Sequence, residues 1–276
     1  MDNIFILLLA GFFVGTLGTL IGAGGGFILI PLLILTHPDL PPDIITAVSI
    51  AIVAANAISG SVAYTRSGRI DFRAGILFAL STIPGSILGV YSTSFIPKKA
   101  FHIVFGILLV LLAIFLFVNK KQPAPAKSAG SDKLNGITNS ALEDKEGNIY
   151  SYSYNRYLGI FISIIVGFIS PLLGIGGGII HVPALVKWLN FPVYIATATS
   201  HFILAVMASV SVVTHLIKGD YNDPLVQRMV ITLSIGAMAG AQLGALLSHK
   251  IRGNMIIRAL AVCLAIVGAR ILLGRN

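Results

Sequence analysis

Two glycine-rich runs of nearly the same sequence, GAGGG and GIGGG, interrupt apolar stretches of this chain. Glycine adopts backbone angles that other residues resist, so we expect a helix to break within each run. In apolar surroundings such a break persists only where protein or a water-filled cavity satisfies its amide groups. The helix that starts after each run would direct free N–H groups and its positive dipole end toward that cavity. The runs therefore indicate an anion site built from two sets of glycines, namely Gly22, Gly24, Gly25 and Gly26, and Gly174, Gly176, Gly177 and Gly178.

Close helix packing is the alternative explanation for these glycines, because glycine also lets two backbones approach each other. Gly85 with Gly89, and Gly236 with Gly240 and Gly244, have the four-residue spacing typical of such contacts. A dinucleotide-binding loop is excluded, since neither run completes the six-residue glycine pattern or has the strand, helix and acidic residue that accompany it. A proline follows both runs at the same distance, and this repeated combination favours a broken helix at a site.

Polar side chains recur where the third apolar segment of each half would face the glycine runs. They are Ser49 and Asn56 in the first half, and Thr199 and Ser200 in the second. Hydroxyl and amide groups at these positions could hydrogen-bond the oxygen atoms of a solute. Serine and threonine in membrane helices also commonly bond back to their own helix, which is the alternative here.

Histidine is the residue type inside the apolar segments that titrates near neutral pH. His181 follows the second glycine run, and His201 follows Ser200. Imidazole can carry a proton or donate to an oxyanion, which makes both residues candidates for proton coupling. An interhelical hydrogen bond is the alternative role for each. The first half has Ile30 and Ile50 at the matching positions, so any such role would belong to one half only.

All ten carboxylates lie in loops or near the ends of apolar segments. A cation carrier usually places Asp or Glu at membrane depth, so this distribution favours an anionic or neutral solute. The sequence pairs no activated nucleophile with a base and groups no metal ligands, and its single cysteine is Cys263. Ser200 and His201 are adjacent and would point about 100° apart on a helix. We expect no catalytic residue, metal ion or cofactor.

Helices that span a membrane must position these residues. The chain of 276 residues is 56% hydrophobic and 11% charged, and its mean hydropathy is +0.92, which does not describe a water-facing surface. The net charge of +9 is spread over short loops rather than gathered on one face, which argues against nucleic-acid binding. The apolar segments run from Ile4 to Ile21, Phe27 to Leu35, Ile44 to Tyr64, Ala74 to Ser94 and His102 to Val118, and again from Tyr157 to Leu173, Ile179 to Leu189, Val193 to Ile217, Met229 to Leu247 and Met255 to Leu273.

The second series of segments repeats the first. The glycine runs align, residues 46–49 (TAVS) align with residues 197–200 (TATS), and a later pair of glycines recurs in the same order. In both series the second segment is too short to cross alone, so we expect it to form a hairpin with the first around the glycine run. Each half then crosses three more times, which places the halves antiparallel. The predicted fold is an all-α integral membrane protein with two inverted-topology repeats, residues 1–118 and 157–276, each a broken helical hairpin plus three transmembrane helices.

A polar segment, residues 119–156, separates the repeats. Its Lys, Ser, Asn and Pro content leaves no apolar surface to bury, so we expect a mobile linker that is dispensable for folding. In the hairpin topology 13 of the 19 Lys and Arg residues fall on the side of this linker. The positive-inside rule therefore predicts a cytoplasmic linker and both termini outside.

The glycine runs with their prolines, the ATATS stretch and the PGSILG segment resemble the TauE/SafE family of sulfite exporters over both membrane halves. The resemblance implies a prokaryotic inner-membrane carrier for sulfite, sulfoacetate or related organosulfur anions. It implies binding at the glycines of both runs and at Ser49, Thr199 and Ser200. Val48 departs from the threonine expected before Ser49, which puts equal participation of the halves in doubt. A chain with only Cys263 does not resemble the thiosulfate-handling branch, which relies on several cysteines.

We therefore expect a secondary transporter that exports small anions such as sulfite or organosulfonates across the plasma membrane, with coupling to protons as an option. Its partners would be the anion and the lipid bilayer. The alternatives are a passive anion channel and, ranked below it, a membrane-embedded enzyme or an assembly factor. A valine at Gly25 or at Gly177 is expected to abolish transport, because it would obstruct the broken backbone and the approach of an anion.

Overall fold

A computed structural model describes residues 4–118, 136–248, 261–262 and 264–270. The first half contains α1 (Ile4–Ile21), α2 (Gly26–Thr36), α3 (Pro42–Arg66), α4 (Phe72–Thr93) and α5 (Lys98–Val118). Two strands follow, β1 (Ile137–Glu143) and β2 (Ile149–Asn155). The second half contains α6 (Arg156–Leu173), α7 (Gly178–Lys187), α8 (Val193–Lys218) and α9 (Pro224–Ser248), and residues 264–270 are also helical.

Six of the described helices, α1, α3, α4, α6, α8 and α9, are long and apolar enough to cross a membrane. The helices α2 and α7 have 11 and 10 residues. At ~1.5 Å per residue each covers only about half of the ~30 Å hydrocarbon layer. Large apolar side chains such as Phe13, Leu80 and Ile217 are exposed on the outer faces of the spans. The predictions of a mainly helical, multi-pass membrane protein and of a short second segment in each half are confirmed.

The core of the molecule surrounds α3, which contacts α8 and α9. Ile50, Ile52 and Val53 in the middle of α3 are completely buried, as is Met207 of α8. Because lipid covers the outer faces, this centre is where polar groups must find partners within the protein.

Each repeat packs its first helix against the fourth helix of the other repeat. The α1–α9 and α4–α6 pairs meet along small residues that bring the backbones together. A Cβ atom on Gly236 would overlap the carbonyl oxygen of Leu8, and a Cβ atom on Gly85 would lie 2.5 Å from the carbonyl oxygen of Ile164. The packing role predicted for these glycines is therefore confirmed.

The α6–α7 pair begins and ends at the same end of the molecule. Helix α6 starts directly after β2, and Phe191, which follows α7, packs against Tyr152 of β2 with ring centroids 4.5 Å apart. The two helices thus enter from the end that carries the strands and return to it.

The α1–α2 pair begins at the opposite end. Helix α1 runs parallel to α9, because Leu8 lies beside Gly236 and Thr16 lies beside Gly244. Helix α9 in turn starts where α8 ends, one crossing away from the strands. The antiparallel relation of the two repeats in a membrane stays a prediction, and this arrangement supports it.

The described part of the segment between the repeats is ordered, which corrects the expectation of a mobile linker there. Strands β1 and β2 form an antiparallel β-hairpin in which Ile137 pairs with Asn155. Tyr152 and Tyr154 are buried, with their rings 4.5 and 5.1 Å from the ring of Phe191.

The prediction of a mobile linker was wrong for residues 136–155. The average composition of the segment does not reveal that exposed and inward-facing side chains alternate along its strands. In IYSYSYN every second side chain of β2 faces the protein; these side chains are Tyr150, Tyr152 and Tyr154, of which the last two are buried. A short hairpin needs a surface to cover, and here the ends of the membrane helices supply it. Residues 119–135 of the predicted linker lie outside the described residues.

Candidate functional site

Both glycine runs interrupt their helices, as predicted. Helix α1 ends at Ile21 and α2 starts at Gly26, while α6 ends at Leu173 and α7 starts at Gly178. We call residues 22–25 the first break and residues 174–177 the second break. Five glycines in the breaks have positive φ angles, which only glycine adopts without strain, namely Gly22 (77°), Gly24 (76°), Gly25 (86°), Gly174 (64°) and Gly176 (68°).

The two breaks touch each other in the middle of the protein. A Cβ atom on Gly178 would overlap the carbonyl oxygen of Gly22, and a Cβ atom on Gly26 would lie 2.5 Å from the carbonyl oxygen of Gly174. The last glycine of each run is therefore required for this contact between repeats rather than for its own backbone angles. Gly22, Gly26, Gly174 and Gly178 lie together, as the sequence predicted for a central site.

Two serines join the breaks to the opposite repeat. Ser49 of α3 donates to the carbonyl oxygen of Gly174 at 2.6 Å, and Ser200 of α8 donates to the carbonyl oxygen of Gly22 at a longer 3.5 Å. Both serines are completely buried. Their hydroxyl groups thus satisfy broken backbone in the partner repeat instead of bonding back to their own helices.

Asn56 is the centre of a buried polar cluster, about two turns after Ser49 on α3. Its side-chain oxygen accepts from Thr19 Oγ1 at 2.9 Å and lies 3.1 Å from His201 Nε2. Its amide donates to the carbonyl oxygen of Gly15 at 2.8 Å. Tyr64 closes the cluster by donating to the carbonyl oxygen of Thr19 at 2.8 Å. Asn56 and His201 therefore tie α1, α3 and α8 together just below the first break.

Three buried polar atoms near the breaks have no hydrogen-bond partner within the described structure. They are Thr197 Oγ1, Ser170 Oγ and His201 Nδ1. A Cβ atom on Gly22 would lie 2.8 Å from the side chain of Thr197, and one on Gly177 would lie 3.4 Å from Ser170 Oγ. A buried polar group without a partner costs free energy, so these atoms are available to a polar ligand.

Sequence reasoning did not select Thr197, Ser170 or Thr19. The sequence did contain an indication that Thr197 belongs to the site, because it aligns with Thr46 in the other repeat. Ser170 and Thr19 lie on the helices that precede the breaks, and their approach to the site depends on how those helices are tilted and packed.

The side chains of Thr199 and His181 make their hydrogen bonds with residues outside the two breaks. Thr199 Oγ1 accepts from the backbone N–H of Asp71 at 3.0 Å, in the loop between α3 and α4. His181 Nε2 lies 3.1 Å from Ser163 Oγ on α6, and its ring is buried. Thr199 is thus one residue away from the contact at Ser200, and His181 makes the interhelical hydrogen bond that was its alternative role.

Acidic side chains occur only toward the two ends of the described structure. Asp71 and Asp144 lie at the end with the β-hairpin, and Asp43 and Asp220 at the other. Within the described residues, no group of three or more His, Cys, Asp or Glu side chains is placed to hold a metal ion.

Spanning helices with two broken helices in contact at their centre define a class of multi-pass membrane protein. In this class solutes bind near the midplane, where half-helices end. The sequence profile of the family described as "Sulfite exporter TauE/SafE" matches residues 7–271. The chain belongs to this family.

Relatives of the chain have names of the same kind. It is 31% identical to "Probable membrane transporter protein YunE" of Bacillus subtilis (strain 168), over 97% of this chain and 96% of that one. It is 27% identical to "Probable membrane transporter protein MJ0441" of Methanocaldococcus jannaschii, over 97% of this chain and 95% of that one. No solved structure matches. The chain is therefore a membrane transporter of the TauE/SafE type.

Proposed function

We propose that the chain is a secondary transporter that exports small anions such as sulfite or organosulfonates, and that the anion binds where the two breaks meet. The observation that carries the proposal is the reciprocal contact of Ser49 with Gly174 and of Ser200 with Gly22, beside unpartnered buried hydroxyl groups. An oxyanion in this place would accept hydrogen bonds from groups that now have weak partners or none.

Charge supports an anionic solute. Helices α2 and α7 both begin at the breaks and present the positive ends of their dipoles there. The described acidic side chains lie toward the ends of the molecule, so no carboxylate competes with an anion at the centre. A cation at the same place would face the positive helix ends and would find no described carboxylate to pair with.

Solute counterflow tests the proposal. Purified protein in liposomes loaded with unlabelled sulfite or sulfoacetate should take up the labelled anion transiently above equilibrium. A passive channel would give no such overshoot, so the assay also separates a carrier from this alternative. If none of sulfite, sulfoacetate, sulfate or simple carboxylates binds or exchanges, the proposed function is wrong.

Proton coupling through His181 or His201 belongs to the proposal because imidazole titrates near neutral pH. His201 is the better placed of the two, since its ring contacts Thr19 and Asn56 beside the first break. If one of these two histidines carries the proton, replacing both by glutamine removes the pH dependence of transport between about pH 5 and 8. An unchanged pH profile would exclude both residues.

We also propose that the β-hairpin end faces the cytoplasm of a prokaryotic cell and that both termini lie outside. The excess of Lys and Arg on the side of the linker supports this orientation.

A further inference from the structure

The loops after α3 and α8 each contact the third helix of the other repeat near its start. At the β-hairpin end, the backbone N–H of Asp71 donates to Thr199 Oγ1 at 3.0 Å. At the opposite end, Tyr221 Oη donates to the carbonyl oxygen of Ala47 at 2.9 Å. Thr199 precedes Ser200, and Ala47 lies two residues before Ser49, so each loop is connected to a serine that bonds to a break.

The β-hairpin end contains no histidine among the described groups that hold the Asp71 loop. Asp71 accepts hydrogen bonds from Tyr152 Oη at 2.6 Å and from Ser140 Oγ at 2.8 Å. Burial and the Asp71 carboxylate raise the pKa of Tyr152 well above its usual range. Arg69 lies 3.5 Å from the Asp144 carboxylate.

The opposite end contains a buried histidine paired with a carboxylate. His215 Nδ1 lies 2.6 Å from Asp220 Oδ2, and the imidazole is completely buried. Lys218 Nζ lies 3.0 Å from the same carboxylate oxygen and 3.9 Å from Asp43 Oδ2 on α3. It also donates to Ser94 Oγ at the end of α4. These charged groups face the imidazole from its own helix, from the following loop and from α3.

The second ring nitrogen of His215, Nε2, can accept a proton. A neutral imidazole must place its hydrogen on Nδ1 to pair with the carboxylate, which leaves Nε2 as a bare acceptor. Nε2 is buried and has no hydrogen-bond partner among the described groups. With His215 neutral, the formal charges of Asp43, Lys218 and Asp220 sum to one negative charge, and protonation of His215 cancels it.

Protonation would also change the contacts that this end can keep. A proton on Nε2 creates a buried donor without an acceptor, a state that is costly unless the surroundings rearrange. Asp220 precedes Tyr221, so movement of this loop alters the contact with Ala47 and thereby the start of α3, which carries Ser49. Proton uptake and the position of a site helix are thus linked through one short path.

We propose that His215, paired with Asp220, is the proton-binding site that couples solute movement to a pH gradient, at the end of the molecule opposite the β-hairpin. The proposal rests on the transport function proposed above. His181 and His201 contact hydroxyl and amide groups, whereas His215 contacts the buried Asp220 carboxylate. The charged neighbours of that pair, Lys218 and Asp43, have 16% and 27% of their side chains exposed.

Transport in proteoliposomes can separate coupling from solute binding. Sulfoacetate is the probe, because both of its acidic groups stay ionised from about pH 5.5 to 8. Two rates are measured for wild type, His215→Gln and Asp220→Asn: exchange at equal pH, and accumulation driven by about two pH units, which can reach ~100-fold for one coupled proton. Ser211→Ala is the matched control, because Ser211 is a buried polar residue one turn before His215 and its hydroxyl donates to the carbonyl oxygen of Met207 in the same helix.

Wild type and Ser211→Ala should accumulate sulfoacetate by more than ~10-fold. His215→Gln and Asp220→Asn should exchange within about threefold of the wild-type rate and lose the accumulation. Gradient-driven accumulation that survives in both variants would overturn the proposal and leave the transport function intact. Wild-type protein that shows counterflow but accumulates no sulfoacetate in the pH gradient would also overturn the proposal and leave the transport function intact. Wild type without counterflow would overturn the transport function, and this proposal with it.

A measurement on the wild-type protein tests the proposal even if the variants do not fold. Sulfoacetate added to lightly buffered purified protein should change the bound protons by about one per chain near neutral pH, where imidazole titrates. No proton exchange on binding would overturn the proposal.

Discussion

The glycines at equivalent positions of the two breaks differ in what they do. Gly25 has φ +86°, and a Cβ atom there would lie 2.7 Å from the carbonyl oxygen of Val14. Its counterpart Gly177 has φ −34°, which is outside the left-handed region, and a Cβ atom there would meet side-chain atoms rather than backbone, namely Val166, Met207 and Ser170 at 2.9, 3.2 and 3.4 Å. We expected valine at either position to abolish transport; the backbone strain that valine would cause is present at Gly25, where φ is positive, and is absent at Gly177.

Gly25→Val should abolish transport and cost about 1–3 kcal/mol of stability from backbone strain alone. Gly177→Val should weaken transport, because its Cβ lies 3.4 Å from Ser170 Oγ beside the second break, while the protein keeps most of its melting temperature. Melting temperature and anion affinity of the purified variants test this difference. Equal melting temperatures for the two variants would contradict it, and wild-type affinity in both would remove the site from the breaks.

Helix pairs exchanged between the repeats hold the halves together. Gly236 on α9 packs against the backbone of Leu8 on α1, and Gly85 on α4 packs against the backbone of Ile164 on α6. In each pair the opposing atom is a carbonyl oxygen, which cannot turn away as a side chain can.

Gly236→Ala should destabilise the protein by roughly 1–3 kcal/mol, because the added methyl group overpacks the α1–α9 contact. Thermal unfolding of purified protein measures the loss, and Gly147→Ala is a control for the added methyl group, since a Cβ atom on Gly147 would have no neighbour within 4 Å. Anion affinity of folded Gly236→Ala should stay near that of wild type. Weak affinity with unchanged stability would show that this pair belongs to the binding site.

The β-hairpin is attached to the helices through an acidic residue with a shifted pKa. Burial alone would raise the pKa of the Asp144 carboxyl, but hydrogen bonds from Asn148 and Glu146 and the charge of Arg69 hold it below its ordinary value. The carboxylate therefore stabilises the attached hairpin above the ordinary value of 3.8, and this contribution is lost as the pH falls through the lower folded-state pKa.

Acidification below pH 3.8 should loosen the hairpin. Trp188, the single tryptophan, lies three residues before Phe191, which packs on the hairpin, so its fluorescence should report the change. Asp144→Asn should lack this acid transition and be less stable than wild type at neutral pH. A wild-type signal that stays constant down to pH 2, or an identical transition in the variant, would contradict the assignment to Asp144.

Orientation in the membrane concerns the whole chain. After replacement of Cys263 by alanine, a reagent that cannot cross the membrane should label Phe95→Cys from outside intact cells, because Phe95 is 85% exposed at the end opposite the β-hairpin. Ser131→Cys, in the part of the linker outside the described residues, should react only after the cells are opened. The reverse labelling pattern would invert the proposed orientation.

Residue types and their spacing were sufficient to predict the membrane spans, the two broken helices and the family. These features follow from local chemistry: about 20 apolar residues span the bilayer, and clustered glycines break a helix, whatever lies beside them. The prediction of glycine packing on α4 and α9 succeeded for the same reason, because the four-residue spacing is itself local.

Only the tertiary structure decided which groups meet. The bonds of Ser49 and Ser200 to the breaks join residues 125 and 178 positions apart, and no local pattern specifies such a pair. The different backbone angles of Gly25 and Gly177 arise in the same way, since glycines at equivalent positions face unlike neighbours in the two repeats. The β-hairpin is ordered because Phe78 of α4 and Phe191 of the loop between α7 and α8 give its tyrosines a surface to cover. Sequence determined the elements through local preferences, and packing between distant elements determined the site.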